Sequence, residues 1–597
     1  MKKYIILLFS VNFLVFSSNI DEATRLLERE QRRIEQERIR NENELKIKEL
    51  ENSKLGAEIE TESTVAVNVD EPKFLVENIN IDDSDNLFNQ NEEFSFFNKY
   101  RYSYMGTSSI NKLIEEMTNK LISKGYITST VVLDESSDLS KGELKLKVIS
   151  GKIEDIQINS GNSLDRLKEF FMFKKNRGDI LNIRDIDEAT ENFNSLRANN
   201  MEIEIEEGKK ENQSLIKVKN IMKDKYQVSF IGNNYGENNQ NGMWRYGVGV
   251  SIDSPLGIGD SFTFSYLTVN KKKADRSWKK TMDELKPGEI MPIGPVGYNP
   301  TTETLPYKRR LDMFNLGYTL RFRDYRLRLN SSKSIGESSF YSYNTVYDMK
   351  SESHTLSANL EKTVYRSQKS KLNVGIGIKR RHNETYFEKS ELSNRKLTIG
   401  NIYVSGQTNF LKGILGATLG YEKGLRIFGA ERDINKLTTT PKAEGEKITL
   451  DVNYYKPIAN NFVYRLNING TYSKDVLYGS ERQTIGGVGS VGGYNRTETL
   501  QGDRAIEIGN ELSYNIPIFN RKANVSPYIS YSYGATEINK DTSKYRIGYM
   551  TGLTTGVRFS SKLLDFDLGY AKALKHSDYL KPKRDEVYFG GSVKMSF

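Results

Sequence analysis

From about residue 225 to residue 597 the chain alternates apolar with polar or small side chains at a period of two. That period puts one apolar face on each strand. The last stretch is the clearest: Val587, Phe589, Gly591, Val593, Met595 and Phe597 share one face, and Glu586, Tyr588, Gly590, Ser592, Lys594 and Ser596 share the other. Residues 545–559 repeat the pattern with Arg546, Gly548, Gly552, Gly556 and Arg558 on the polar side. In residues 564–570, Asp565, Asp567 and Gly569 oppose Leu564, Phe566, Leu568 and Tyr570. A soluble sandwich alternates too, but charges recurring on the inward face speak against a dry core, where unpaired charge is costly. A closed transmembrane barrel with a wet lumen fits them. About 16 strands are expected, one per ~23 residues, within the even-numbered range of such barrels.

The connections between these strands alternate in length. Those at 253–259, 321–325, 366–371, 410–413, 456–461, 517–525 and 559–562 are short. Those at 271–309, 334–351, 382–396, 423–446, 472–504 and 534–544 are long. Long loops therefore lie on one side, and an even strand count puts both barrel ends on the short-turn side, which faces the periplasm.

Ahead of the barrel the period changes. Residues 109–124 carry Ile110, Leu113, Ile114, Met117 and Leu121 at helical spacing, and Gly125-Tyr126 ends that helix. The region 73–152 reads as strand, two helices and two strands, and 153–222 repeats the scheme around Gly178 and Asp179. Residues 1–18 read as a secretory signal, with Lys2 and Lys3 before an apolar core. Residues 19–55 are dense in Glu, Arg and Lys, with pairs such as Glu28–Arg32 and Glu44–Lys48 at helical spacing. They predict one helix, either solvated or inside a polar pore. Residues 56–72 read as a linker.

Composition narrows the chemistry. Mean hydropathy is −0.60 and the hydrophobic fraction 37%, while Tyr (35) and Gly (46) are abundant, as suits a barrel needing one apolar face. With no Cys, a disulfide framework and thiolate metal sites are excluded. His354, His382 and His576 are far apart, so no histidine-based metal or catalytic cluster is expected. A net charge of +9 over 597 residues, with no aromatic-interleaved basic cluster, does not call for nucleic acid.

Residues 483–503 form a glycine-softened loop between two strands. Gly487, Gly489 and Gly492 satisfy G-x-G-x-x-G, but no helix follows, so the spacing is a decoy for dinucleotide binding. No P-loop is present, and no cofactor, nucleotide or metal is expected.

This layout resembles the outer-membrane transporter of two-partner secretion systems, a relative of the outer-membrane protein assembly superfamily. Residues 124–129, with Gly125 and Tyr126, and 139–144, with Gly142, resemble words of a first POTRA domain; residues 178–182 resemble the middle of a second. Residues 233–236 and 255–260 resemble the family's first barrel hairpin. Residues 485–510, with Gly486, Gly487, Ser490, Val491, Gly492, Gly493 and Tyr494, resemble its sixth extracellular loop, which folds back into the barrel. Residues 19–55 sit where the family has a plug helix.

The resemblance implies a mixed fold: an N-terminal helix, two periplasmic α/β POTRA domains and a 16-stranded antiparallel barrel in the outer membrane. It implies an expected monomer that passes an unfolded secreted client through its pore without ATP. The alternative is an insertase for other barrels. A plain porin would not need the two modules, and an enzyme would need a cluster of catalytic polar residues that is not found.

One departure stands out. The family's Val-Arg-Gly-Tyr/Phe reads Val491-Gly492-Gly493-Tyr494 here, and Ser532 stands where the family has the arginine's aspartate partner. Both halves of the ion pair are absent together, which leaves no uncompensated charge. Either Arg496 or Arg504 pairs with Glu507 or Glu511 instead, or the loop packs by shape alone.

Overall fold

The computed structural model describes residues 71–597 except 160–162, 237–243, 270–308, 343–344, 368, 459–460, 495–497 and 583–584. The signal segment, the charged helix and nearly all of the linker expected above lie outside the described residues.

The first module begins α1 (Gln90–Tyr100) with a capping box. Asn89 Oδ1 accepts from Glu92 N at 2.9 Å, and Glu92 Oε2 accepts from Asn89 N at 3.1 Å. Helix α2 (Thr107–Ser123) turns Ile110, Leu113, Met117 and Leu121 onto a sheet ordered Asn78–Asp82, Glu143–Ile149, Thr130–Leu133. Val76, Leu144 and Leu146 meet that stripe, each fully buried. Burying such a side chain stabilises by about 1.5–3 kcal/mol, so this stripe gives the module a core of its own.

The second module repeats the plan with α3 (Ser163–Met172) and α4 (Ile183–Asn194) against Lys152–Ile158, Gln213–Met222 and Asn199–Glu207. Its core is built from Ile156, Ile158, Ile186, Phe193, Ile216 and Val218.

Residues 226–596 close into an antiparallel barrel of sixteen strands, the twelfth (Arg504–Tyr514) continuing past Asn515 as Ile516–Ile518. The last strand, Asp585–Ser596, pairs with the first, Tyr226–Asn233, and Phe597 N donates to Tyr226 O at 2.9 Å. Closure leaves no open edge. Outward residues such as Leu360, Ile376 and Ile402 are exposed, while Glu361, Arg328 and Tyr403 meet in the lumen.

Two connections differ from expectation. The stretches 334–351 and 382–396, expected as long loops, are continuations of long strands. Tyr325–Ser342 pairs with Thr345–Arg366, and Ser370–Phe387 with Ser390–Phe410. The second hairpin turns sharply at Glu388, at φ +55. Polar residues stand on both faces of these extensions, so alternation fades although strand pairing continues.

Candidate functional site

A short ribbon, Gln483–Ile485 paired with Leu500–Gly502, carries the glycine loop into the barrel. Ile485, Val491, Tyr494 and Leu500 bury themselves against Met550 of the fourteenth strand and Leu580. Close approach needs glycine on both sides. A Cβ at Gly534 would overlap Ile485, one at Gly548 would overlap the Tyr579 hydroxyl, and one at Gly552 would overlap the carbonyl of Gly492. Gly486 and Gly493 turn the loop at φ of +114 and +86, a region that excludes most side chains.

Tyr494 is the anchor. The fourteenth and fifteenth strands slip register between Met550 and Gly552, which opens the ladder there. The Tyr494 hydroxyl fills that opening. It accepts from Thr551 N at 3.0 Å and shares its proton between the carbonyls of Thr551 (2.7 Å) and Lys575 (3.0 Å). Tyr588 Oη supports it by accepting from Gly493 N at 3.3 Å. Gly487 N donates to Val491 O, and Ser490 Oγ accepts from Gly486 N at 3.0 Å.

The expected pairing of Arg504 with Glu507 or Glu511 is corrected. Arg504 goes to Glu537 at 3.2 Å and lies over the Tyr472 ring. Arg496 lies outside the described residues. Glu511 belongs to the wall: Arg558 grips it through two bonds of 2.6 and 2.7 Å, and Arg465 adds a third at 3.0 Å. Arg558 also stacks 3.9 Å from the Tyr528 ring, and Tyr528 donates to Asp567 at 3.0 Å. The Glu511 carboxylate is therefore occupied by wall residues. Ser532 is buried in register with Gly509 and Gly552, beside the point where the Gly492 backbone touches the wall. A Cβ at Gly492 would overlap Thr554 Oγ1 and come 3.1 Å from Ala571 Cβ, so a long side chain has no room there.

Sequence reasoning missed the residues that hold the loop stem. Asp503, fully buried, accepts from Leu477 N (2.8 Å), Arg482 Nε (2.9 Å) and Asn539 N (2.8 Å). Glu481 descends among Arg381 (2.8 Å), Lys447 (3.2 Å) and Lys379 (3.3 Å), and Glu422 also pairs with the latter two. Only Asp503's place at the end of the glycine stretch hinted at it; nothing in the periodicity marked Glu481.

The glycine turns of the modules are joints. Gly125, at φ +101, closes α2, and its carbonyl accepts from Ile183 N at 2.9 Å. Asn182 Nδ2 reaches Lys124 O at 3.3 Å, so the Gly125-Tyr126 turn locks the first module to the second. Tyr126 N donates to Leu121 O. Gly142 ends a 3-10 turn at φ +73, and its carbonyl accepts from Glu77 and Asn78. Gly178, at φ +86, donates to Ile153 O, and Asp179 Oδ2 accepts from Asn176 N.

The second module is seated on the short turns of the barrel. Phe170 and Phe171 form an aromatic group with Phe322, and Arg323 N donates to Phe171 O at 2.6 Å. Asp253 Oδ2 accepts from Ala198 N at 2.9 Å. Glu191 of α4 pairs with Arg366 (2.5 Å) and Lys371 (3.2 Å). Burial opposes its ionisation, but Lys371 and Arg366 outweigh burial and hold the Glu191 carboxyl down at about 2.

Residues 212–559 match the family described as haemolysin secretion/activation protein ShlB/FhaC/HecB. Residues 74–151 match the ShlB-type POTRA domain, and residues 152–206 match a further POTRA domain. The chain is 27% identical over 494 residues to the outer membrane transporter CdiB of Dickeya dadantii, covering 82% of this chain and 80% of that protein. It is 24% identical over 518 residues to the hemolysin transporter protein HpmB of Proteus mirabilis, covering 82% and 81%. The fold is similar to that of CdiB from Escherichia coli, with a TM-score of 0.79 at 21% identity over 96% of this chain and 98% of that one.

Proposed function

The chain belongs to the haemolysin secretion/activation family of ShlB, FhaC and HecB, and from that premise we infer that it secretes a partner exoprotein across the outer membrane. The barrel lies in that membrane with both POTRA domains in the periplasm, and its role is secretion rather than assembly of other barrels.

The reading rests most on the seat of the second POTRA domain. Residues 366–371 and 253–260 tie it beneath the periplasmic mouth, so a chain held there stands at the entrance of a polar lumen. The client arrives unfolded, because folded protein would not enter a lumen lined by inward side chains and crossed by a loop. The sheet edges Asn78–Asp82, Thr130–Leu133 and Asn199–Glu207 can accept an extended segment through main-chain bonds. Phe74, Tyr102 and Tyr104 add an exposed apolar face on the first domain. The transporter works as a monomer, and client folding outside draws the chain forward.

During transport the loop must leave its seat. Its bonds to the wall, at about 0.5–1.5 kcal/mol each, and its four buried apolar anchors hold it firmly at rest. Entry of the client therefore has to supply the displacement. The test is co-expression with a candidate partner exoprotein. Surface exoprotein should depend on this chain, and an arrested client should crosslink to both POTRA domains and the lumen. Normal exoprotein export alongside loss of other barrels from the membrane would support an insertase instead.

A further inference from the structure

On the outer face of the wall, four residues from four successive strands stand in one register row. Lys333 pairs with His354, His354 with His382, and His382 with Lys396. The row below reads Ser331, Leu356, Arg380, Thr398. All lie on the lipid side, because the same faces carry the exposed Leu329, Leu360, Ile376, Ile402 and Val404. The inward faces of these strands carry Glu361, Arg381 and Tyr403 instead.

Position along the strand gives the row its meaning. Apolar outward residues on the eighth strand run from Phe410 near the periplasmic turn up to Ile402. A tilted strand crosses the hydrocarbon in about 9–11 residues. The crossing therefore ends near Gly400, and the basic row follows at headgroup depth. Lys333 and Lys396 are three strands apart, about 14 Å at the usual strand spacing. Arg380 and His354 are exposed, and neither Arg380 nor Lys396 has an acidic partner among the described residues. Among the described residues His354 Nε2 reaches Ser331 Oγ, at 3.3 Å. Lys333 meets Glu352 at 3.5 Å, and His382 meets Glu384 at 3.1 Å; these two carboxylates mark the row's upper limit.

One flank is walled. Residues 425–427 fold over the outward face of the eighth strand. Leu425 N donates to Thr398 O at 2.7 Å, and Thr398 Oγ1 donates to Ile427 O at 3.0 Å. Ile427 and Phe428 remain exposed beside Lys396. A phosphate above hydrocarbon would meet cations from the row, and its acyl chains would meet the apolar wall below.

We propose that Lys333, His354, Arg380, His382 and Lys396 form a strip that binds the phosphate of a phosphorylated outer-leaflet lipid. The strip gives the long hairpins a fixed depth in the membrane, and it is separate from the lumen and from the loop.

The test uses the full-length protein extracted from outer membranes in mild detergent, with retained lipid weighed by native mass spectrometry. The triple variant Lys333→Gln/Arg380→Gln/Lys396→Gln is compared with Lys209→Gln/Lys210→Gln, which removes two cations from a periplasmic turn. Heat-modifiability on gels confirms that each barrel is closed, and Arg380→Gln alone serves if the triple variant fails to close. The expected result is about a fivefold loss of retained phosphorylated lipid for each cation removed from the strip, and none for the control. Equal retention by the strip variant overturns the proposal. So does equal retention of a dephosphorylated form of the same lipid, or full displacement by inorganic phosphate, which would indicate a free-anion site. Loss of secretion with lipid retention unchanged would assign the strip to the emerging client and overturn it as well.

Discussion

Tyr494 and Thr551 hold each other through two hydrogen bonds, the tyrosine hydroxyl accepting from the threonine amide and donating to its carbonyl. The contact lies where the fourteenth and fifteenth strands lose register, so a loop side chain completes the wall of the barrel. In this chain a phenol hydroxyl docks the loop into the wall.

Replacing Tyr494 with Phe should loosen the loop without enlarging any cavity. The Thr551 amide would be left buried and unpaired, at a cost of about 1–3 kcal/mol. Because the chain has no Cys, a single Val488→Cys, at a loop position outside the docking contacts, reports the loop. Labelling of that introduced thiol should quicken in the Tyr494→Phe background, and ion conductance in planar bilayers should rise. Unchanged labelling would show that the hydroxyl is not the anchor.

Gly552 should tolerate no side chain. A Cβ there overlaps the Gly492 carbonyl, and backbone yields less readily than a flexible side chain. Gly552→Val should lift the loop and lower secretion more than Gly552→Ala, while the barrel still closes on heat-modifiability gels. Full secretion by the valine variant would mean that the loop rests elsewhere during transport.

Glu511→Lys should weaken the barrel by setting a third cation beside Arg465 and Arg558. Arg558→Glu should partly restore the melting temperature, and Arg496→Glu should not. The site is open to the lumen, so the interaction falls below the ~3–5 kcal/mol of fully buried pairs. Rescue by the residue-496 reversal would restore the loop ion pair that the structure argues against.

The seat of the second POTRA domain should be sensitive to acid. The folded Glu191 carboxyl titrates near 2, below its ordinary 4.5. Its contribution is therefore present in full above about 4.5 and is lost as the pH falls towards 2. With partial screening the effect is on the order of 2 kcal/mol. A label pair spanning α4 and the 366–371 turn should hold its distance from pH 7 to 5 and spread below pH 4. Glu191→Gln should be loose throughout and insensitive to that acid range. A wild-type distance constant down to pH 2 would show that the aromatic contacts alone carry the seat.

Periodicity alone determined much of this protein. The period of two in residues 586–597 and 545–559 placed lipid and lumen faces, and the alternation of turn lengths placed both barrel ends on one side. The stripe Ile110, Leu113, Met117, Leu121 gave α2, and Gly125 gave its end. These features are local: a face depends on residues two or four apart, and a turn on the residues within it. What the inward side chains do with one another was decided by closure. Glu511 finds Arg558 because the twelfth and fourteenth strands flank the thirteenth, although the two lie 47 positions apart in sequence. Tyr494 finds Thr551 because a register slip opens the ladder at one place. Strand order, register and the depth of the folded loop fix those distances, and no spacing along the chain encodes them.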